Sequence, residues 1–248
     1  MKKLLLASTL LVLSCPAFAL EVTHPFYLPE QGGVASFTTA DYLYQNVDKS
    51  NMKSTAKTLQ EEVAIGLTDT FSLYGNVSNT WLDLREPPYT RSFNDNTEWN
   101  VGAKWNIVQK CCWFVQARGA FGIAHDDIES GDRQSITAGL SAGYQFGPVL
   151  GYVKADGNFP VNEGKEDNDF ALATAVGAYG LIADKVSLDG SFENFYDKED
   201  NSKDWTFRLG TNYLFTEKLA VGVFGRYLLH STEDAAGYQV GVNLNVAF

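Results

Sequence analysis

The chain has 248 residues, 45% of them hydrophobic, a mean hydropathy of -0.17 and a formal net charge of -11. So acidic a balance argues against nucleic acid as a partner, because phosphate backbones are bound by lysine and arginine that displace counterions. No stretch after the first twenty residues approaches the ~20 consecutive apolar residues of a membrane helix, so a membrane crossing would have to be made by strands, which are oily on one face only and escape a hydropathy average.

Residues 1–19 open with Lys2 and Lys3, continue with the apolar run Leu4 to Leu13 and end in Ala17-Phe18-Ala19. This is the pattern of a secretory signal with a small-x-small cleavage site, after which the mature chain starts at Leu20. Cys15, preceded by Leu13-Ser14 and followed by Pro16, fits lipid attachment poorly. Residues 20–33, with two prolines and two glycines, show no clear period and read as a lead-in segment that could tuck into the mouth of a larger fold.

From Val34 the chain becomes a succession of strands. Val34 to Gln45 is the first, with its oily face ambiguous, and 46–57 breaks the pattern. The second sets Val63, Ile65 and Leu67 against Glu62, Ala64 and Gly66; the third sets Phe71, Leu73, Val77 and Trp81 against Ser72, Tyr74 and Asn76. Successive strand side chains point to opposite faces, so each segment separates an apolar from a polar surrounding. A long loop is expected over 83–96, with Pro87-Pro88 in it.

The fourth strand alternates Trp99, Val101, Ala103 and Trp105 with Asn100, Gly102 and Lys104. The fifth alternates Trp113, Val115, Phe121 and Ile123 with Gln116, Arg118 and Gly122. Cys111 and Cys112 lie between them; neighbours cannot staple distant segments, and the plain reading is a reduced or incidental pair in a turn, without zinc spacing. Strands six to eleven continue the alternation, with Gly139, Ser141 and Gly143 on the polar side of the sixth, Lys154 and Asp156 on the seventh, Ala171, Ala173 and Ala175 on the eighth, Asp189 and Glu193 on the ninth, Arg208 on the tenth and Arg226 on the eleventh. Three tight turns share one pattern, over 67–73, 182–188 and 215–221. The twelfth strand, Tyr238 to Phe248, has Tyr238, Val240, Val242, Leu244, Val246 and Phe248 on one face and small or polar residues between them.

Twelve antiparallel strands whose connections alternate short and long, with bulky aromatics such as Trp81, Trp113, Tyr196, Trp205 and Tyr238 near strand ends, describe a closed up-and-down transmembrane β-barrel; a Greek-key sandwich does not sort its loops in this way. The ending Gln239-x-Gly241-x-x-Leu244-x-Val246-x-Phe248 resembles the C-terminal signal of Gram-negative outer-membrane β-barrels. That resemblance implies Sec-dependent export, a leader over 1–19, a periplasmic lead-in over 20–33, a barrel over 34–248, outer-membrane lipid and lipopolysaccharide as surroundings, and recognition of Tyr238–Phe248 by the barrel-assembly machinery. His24-Pro25, Gly32-Gly33 and the segment Glu62 to Phe71 are similar to a broad group of little-characterised transporter barrels, which implies passage of small solutes and carries no substrate residue over.

In a closed barrel the polar set faces the lumen. Reflecting neighbouring strands about their turns brings Arg208 beside Arg226 and Glu193, and places Lys104, Arg118 and Lys154 at similar heights on the far wall, with Asp156 and Asp189 in partial balance. Like charges stacked across strands are tolerable mainly where water or an anion is present, so these eight residues read as a pore lining with a modest preference for anions. The competing reading is a plug in which Glu193 clamps Arg208 and Arg226. The small residues of strands six and eight leave room for a channel, or equally for a folded-in loop or the lead-in.

The long connections are acidic, with Asp126, Asp127, Glu129 and Asp132 in one and Asp197, Glu199, Asp200 and Asp204 in another. They read as a solvated rim before they read as a divalent-cation site, since no ligand-loop spacing is present. Catalysis is not expected: of three histidines, His230 and His125 sit at strand ends, and His230-Ser231 with Asp234 fails as a dyad because neighbours on a strand point to opposite faces. No cofactor is called for. The sequence thus predicts a narrow passive channel for small hydrophilic, preferably anionic, solutes; the alternatives are a non-conducting structural or adhesive barrel and, third, a barrel hydrolase.

Overall fold

The computed structural model describes residues 20–47, 52–86, 89–110, 112–126, 131–161, 170–198, 201–232 and 235–248. The expected leader, and most of the acidic residues in the long connections, fall outside that set. Twelve strands follow in chain order: β1 (Val34–Val47), β2 (Met52–Thr68), β3 (Phe71–Glu86), β4 (Tyr89–Lys110), β5 (Trp113–Asp126), β6 (Gly131–Phe146), β7 (Val149–Pro160), β8 (Ala171–Ala183), β9 (Val186–Asp197), β10 (Ser202–Thr216), β11 (Leu219–Ser231) and β12 (Ala235–Ala247). Each pairs antiparallel with its sequence neighbours, and β1 pairs with β12 from Ala35–Ala247 to Val47–Ala235, closing the barrel. Closure leaves no unpaired edge, the condition for a sheet in hydrocarbon.

The outer surface carries the alternation read from sequence. Val101, Leu140, Val153, Phe192, Leu209, Val223, Val242 and Leu244 all point outward and are exposed, forming the apolar band. Aromatics cluster near its edges: Trp113, Tyr144 and Phe146 stack edge to face at 4.7 and 4.3 Å beside the tight turns, and Tyr44–Tyr238 at 5.5 Å marks the other end. Girdles at both interfaces follow from the amphipathic rings of Tyr and Trp.

β1 explains its own ambiguity. Its outward face is Ser36, Thr38, Ala40, Tyr42 and Tyr44, and the Ser36 and Thr38 hydroxyls both donate to Glu61, which lies on the outward face of β2. This seam interrupts the apolar band, and so no oily face could be read there.

The turns on one rim, at 69–70, 147–148, 184–185 and 217–218, are two residues each. On the opposite rim the expected long loop over 83–96 is instead strand: β3 runs to Glu86 and β4 restarts at Tyr89, paired from Glu86–Tyr89 inward. The barrel wall is therefore extended on that side by a hairpin. Cys112 is buried and disulfide-bonded, not reduced as expected; Cys111 lies outside the described residues.

At the tight-turn rim Val34, the first residue of β1, and Phe248 exchange backbone hydrogen bonds. From there residues 20–33 fold back inside the barrel. Glu21, Val22, His24, Phe26, Leu28 and Pro29 are buried along a segment folded as successive turns, closed by His24 N to Glu21 O and Tyr27 N to His24 O at 2.9 Å each, so no strand or helix period marked it in the sequence. Two buried hydrophobic clusters among the described residues form on this segment: Phe26 with Phe114, Leu150, Tyr152 and Tyr179, and Val22 with Leu214 and Ala220.

Candidate functional site

All eight residues expected to face the interior do so, but the structure pairs them more tightly than a basic lining implies. Lys104 is bridged to Glu62, Arg208 to Asp189, Arg118 to Asp156 at 2.6 Å and Arg226 to Glu193 at 2.8 Å. Arg208 lies opposite Arg226 in the β10–β11 register, as the reflection gave. The clamp is divided, however: Glu193 takes Arg226 alone, and Asp189 takes Arg208 while also accepting a 2.6 Å hydrogen bond from the Tyr152 hydroxyl. Glu62, which the alternation of β2 marks only as an inward residue, is the partner of Lys104 that pairing neighbouring strands could not show, since β2 and β4 are two strands apart.

Lys154 is the exception. Among the described interior residues of the barrel's middle it is the cation without a carboxylate partner; its ammonium lies 4.9 Å from the centroid of the Tyr152 ring, in a cation–π contact.

The small interior residues divide into two kinds. On β6 they are filled by neighbours: Gly139 lies between Arg118 and Asp156 in the register, and a Cβ there would run into both side chains, so glycine is what lets that bridge close. Gly143 likewise accepts the Phe26 ring, whose Cε2 would lie 2.7 Å from an added Cβ. The alanines of β8 stay open. Ala171 lines a cavity of about 240 Å³ with Glu98, Arg133 and Asp197. Ala173 and Ala175 line the next, about 490 Å³, with Arg118, Asp156, Glu193 and Arg226. Ala175 also lines a third of about 370 Å³, with Asp189, Arg208, Asn212 and Asn243.

These cavities stack along the barrel axis, as the β9 residues show: Asp197 in the first, Glu193 to Phe195 in the second, Asp189 to Glu193 in the third. Lys154, Ala175 and Glu193 are shared by the second and third and form the neck between them. The third ends on Val22, Thr23, His24 and Pro25 of the lead-in. Beyond the lead-in a further cavity of about 420 Å³ opens at the tight-turn rim, lined by Leu28, Gln31, Asp69, Glu217 and Phe248.

The lead-in is held by more than apolar contact. Tyr179 donates to Glu21, the Thr23 hydroxyl lies 2.8 Å from the same Tyr179 oxygen, Asn106 Nδ2 donates to the Phe26 carbonyl at 3.0 Å and Val22 N donates to Glu217 O at 3.0 Å. His24 Nδ1 accepts from Phe26 N at 3.2 Å, and its ring sits 5.2 Å from Phe114 and 5.5 Å from Tyr179. Burial, with the Lys154 charge nearby as the lesser cause, lowers its pKa to about 3.

For the hydrolase reading the geometry is poor: His230 is exposed while Ser231 is buried, and Asp234 lies outside the described residues. No group of His, Cys, Asp and Glu suited to a metal ion occurs among the described residues.

No family model and no curated sequence matches the chain, whereas solved structures do. An outer membrane channel from Pseudomonas putida F1 superposes with a TM-score of 0.70 at 10% identity, over 90% of this chain and 98% of that one. The fold is that of a Gram-negative outer-membrane β-barrel. The barrel also resembles the translocator domain of the autotransporter NalP from Neisseria meningitidis (TM-score 0.58, 10% identity, 87% of this chain and 88% of that one) and the NanC porin (TM-score 0.53, 11% identity, 83% and 98%). With the outward apolar band and its aromatic girdles, this places the barrel in the outer membrane.

Proposed function

We propose that the barrel is a narrow passive diffusion channel for small hydrophilic solutes, preferring anions, inserted with its tight-turn rim and lead-in toward the periplasm. The observation that carries this reading is the file of three polar cavities running from the hairpin rim down to the lead-in. A barrel serving only as a scaffold has no need to keep charged, unfilled space on its axis. The anion preference is assigned to Lys154, which stands at the neck between the second and third cavities and, unlike Arg118, Arg208 and Arg226, is in no salt bridge. The names of two structural neighbours, a channel and a porin, point the same way.

Planar-bilayer recording tests it. Discrete conductance steps with a reversal potential favouring Cl⁻ over K⁺ are expected, and Lys154→Glu should reverse that preference. A folded barrel silent at all voltages, including after removal of residues 20–31, would remove the channel reading.

One observation favours the non-conducting alternative: the lead-in crosses the path completely enough to bury Val22 and Phe26. The two readings separate on whether it undocks. As the assembly contact we propose the terminal strand, Tyr238–Phe248, whose last side chain is left free by the fold.

A further inference from the structure

The outer surface carries a charge pattern that the apolar band does not explain. Lys53 of β2 and Arg85 of β3 are cross-strand partners, and both are exposed on the face that Leu59, Val63 and Trp81 turn to lipid. Lys53 also pairs with Asn46, two residues beyond the Tyr44–Tyr238 ring pair, and Arg85 lies four residues beyond Trp81. The pair therefore stands just outside the hydrocarbon, at the depth of lipid headgroups, on the side away from the tight turns. Lys57, exposed and opposite Trp81, is four residues nearer those turns, and its stem has the length to carry the ammonium up into the same layer.

Like charges directly opposite on neighbouring strands destabilise a sheet, and among the described residues no carboxylate bridges this pair. Asp83, opposite Thr55 and so placed between Lys53 and Lys57, is the acidic residue beside them on the outward face, and it is in an ion pair with neither. Three cations against one carboxylate leave two positive charges in excess, on a chain whose formal net charge is -11. A group with two negative charges on one centre restores the balance. A phosphomonoester is such a group, with a charge of about -1.5 to -2 at neutral pH and three strong acceptor oxygens. The planar fork of an arginine facing a lysine ammonium forms a pincer for it.

We propose that this patch is a binding site for the phosphomonoester headgroup of lipid A, the glycolipid of the outer leaflet. The phosphate sits between Lys53 and Arg85 with Lys57 on its membrane side, and the acyl chains run down the wall over exposed Leu59, Leu73 and Val101. A phosphodiester such as phosphatidylglycerol brings one charge and leaves one cation of the pair unmatched, which sets the preference. The site rests on the insertion direction proposed for the barrel, with the hairpin rim outward, and is independent of whether the lumen conducts.

Native mass spectrometry of the full-length mature barrel in detergent micelles, titrated with lipid A, tests the site. Phosphatidylglycerol, lipid A stripped of its phosphates and inorganic phosphate are the comparators. Lipid A is expected to be retained about tenfold more tightly than each of the three, the scale of one charge-assisted contact. Lys53→Gln and Arg85→Gln should each remove that margin. Lys203→Gln, at an exposed lysine of β10 whose ammonium lies 5.5 Å from the Tyr196 ring centroid, should leave it intact; all three variants are compared as barrels of unchanged heat-modifiable gel mobility. Equal retention of phosphatidylglycerol or of inorganic phosphate, or a margin that survives the double variant Lys53→Gln, Arg85→Gln, overturns the site. Insertion direction is read separately, with Thr232→Cys, exposed just beyond β11 on the hairpin rim, and a membrane-impermeant maleimide on intact cells. Labelling without lipid A binding removes the site alone; no labelling removes the direction and the site with it.

Discussion

The sharpest consequence of the structure concerns Phe26→Ala. Phe26 is fully buried, stacked on Phe114 at 5.4 Å and seated over Gly143 against Leu150. Truncating a core phenylalanine costs about 3–5 kcal/mol, transfer and cavity terms together. If the lead-in is an independently docked plug, that cost falls on its docking equilibrium, and the undocked population rises by about two to three and a half decades at one decade per 1.4 kcal/mol. The backbone contact from Asn106 to the Phe26 carbonyl survives the change, so the effect isolates the ring. A protease specific for glutamate, with cleavage followed at Glu21, which is buried while the lead-in is docked, reports the undocked fraction directly as long as redocking outpaces cleavage. Cleavage should accelerate by at least two decades while the barrel keeps its heat-modifiable mobility, and channel openings should lengthen in step. An unchanged cleavage rate refutes the plug. A barrel that melts as a whole would show instead that the two interior clusters are one folding unit with the wall.

Acidification should act on the same equilibrium through His24. Docked, its pKa is about 3, and released it returns to the ordinary 6.5; between those values the undocked form binds more protons, so docking weakens as pH falls from 6.5 toward 3 and is indifferent to pH above 6.5. Openings should therefore become more frequent between pH 6.5 and 4.5, and His24→Gln should flatten that dependence. At Gly66 an added side chain would collide with the Pro29 and Glu30 carbonyls, and Gly66 N donates to Gly33 O at 3.0 Å. Gly66→Val is expected to break the backbone hydrogen bond to Gly33, read as faster hydrogen exchange at the residue-66 amide, while leaving Glu21 protected from the same protease; an unchanged exchange rate would contradict the crossing seen there. Finally, the Phe248 ring is 73% exposed and the residue is tied in by its backbone. Phe248→Ala should leave the thermal stability of a barrel refolded in detergent within about 0.5 kcal/mol of the original but lower its yield in the outer membrane of cells. A large loss in the refolded protein would assign the ring to the fold and not to assembly.

What could be read without a structure followed from lipid. A strand in hydrocarbon shows an apolar residue at every second position, and this rule alone yielded twelve strands, their outward faces and the inward position of all eight charged candidates. It failed at β1, because Ser36, Thr38 and Glu61 satisfy one another on the outer surface and so remove the signal. It failed again over 83–96, where β3 and β4 continue as a hairpin that pairing, and no apolar stripe, holds in place.

The lead-in was hidden for a different reason. Its buried set, Val22, His24, Phe26 and Leu28 with Glu21 and Pro29, is short, lies on successive turns that carry no period, and finds its partners on the inward faces of strands far away in the chain. Those inward apolar residues, Phe114, Leu150, Tyr179 and Leu214, all lie toward the tight turns, a collar that the sequence contains but does not explain. Which cation meets which carboxylate was equally out of reach. Lys104 and Glu62 sit on strands two apart, and the bridges depend on register, on barrel closure and on a glycine at 139. Periodicity reports what each residue faces, lipid or interior, because that is a local property of the strand. Only the closed wall decides which interior groups come within reach of one another, and it sets Lys154 against the Tyr152 ring while Lys104, Arg118, Arg208 and Arg226 each take a carboxylate.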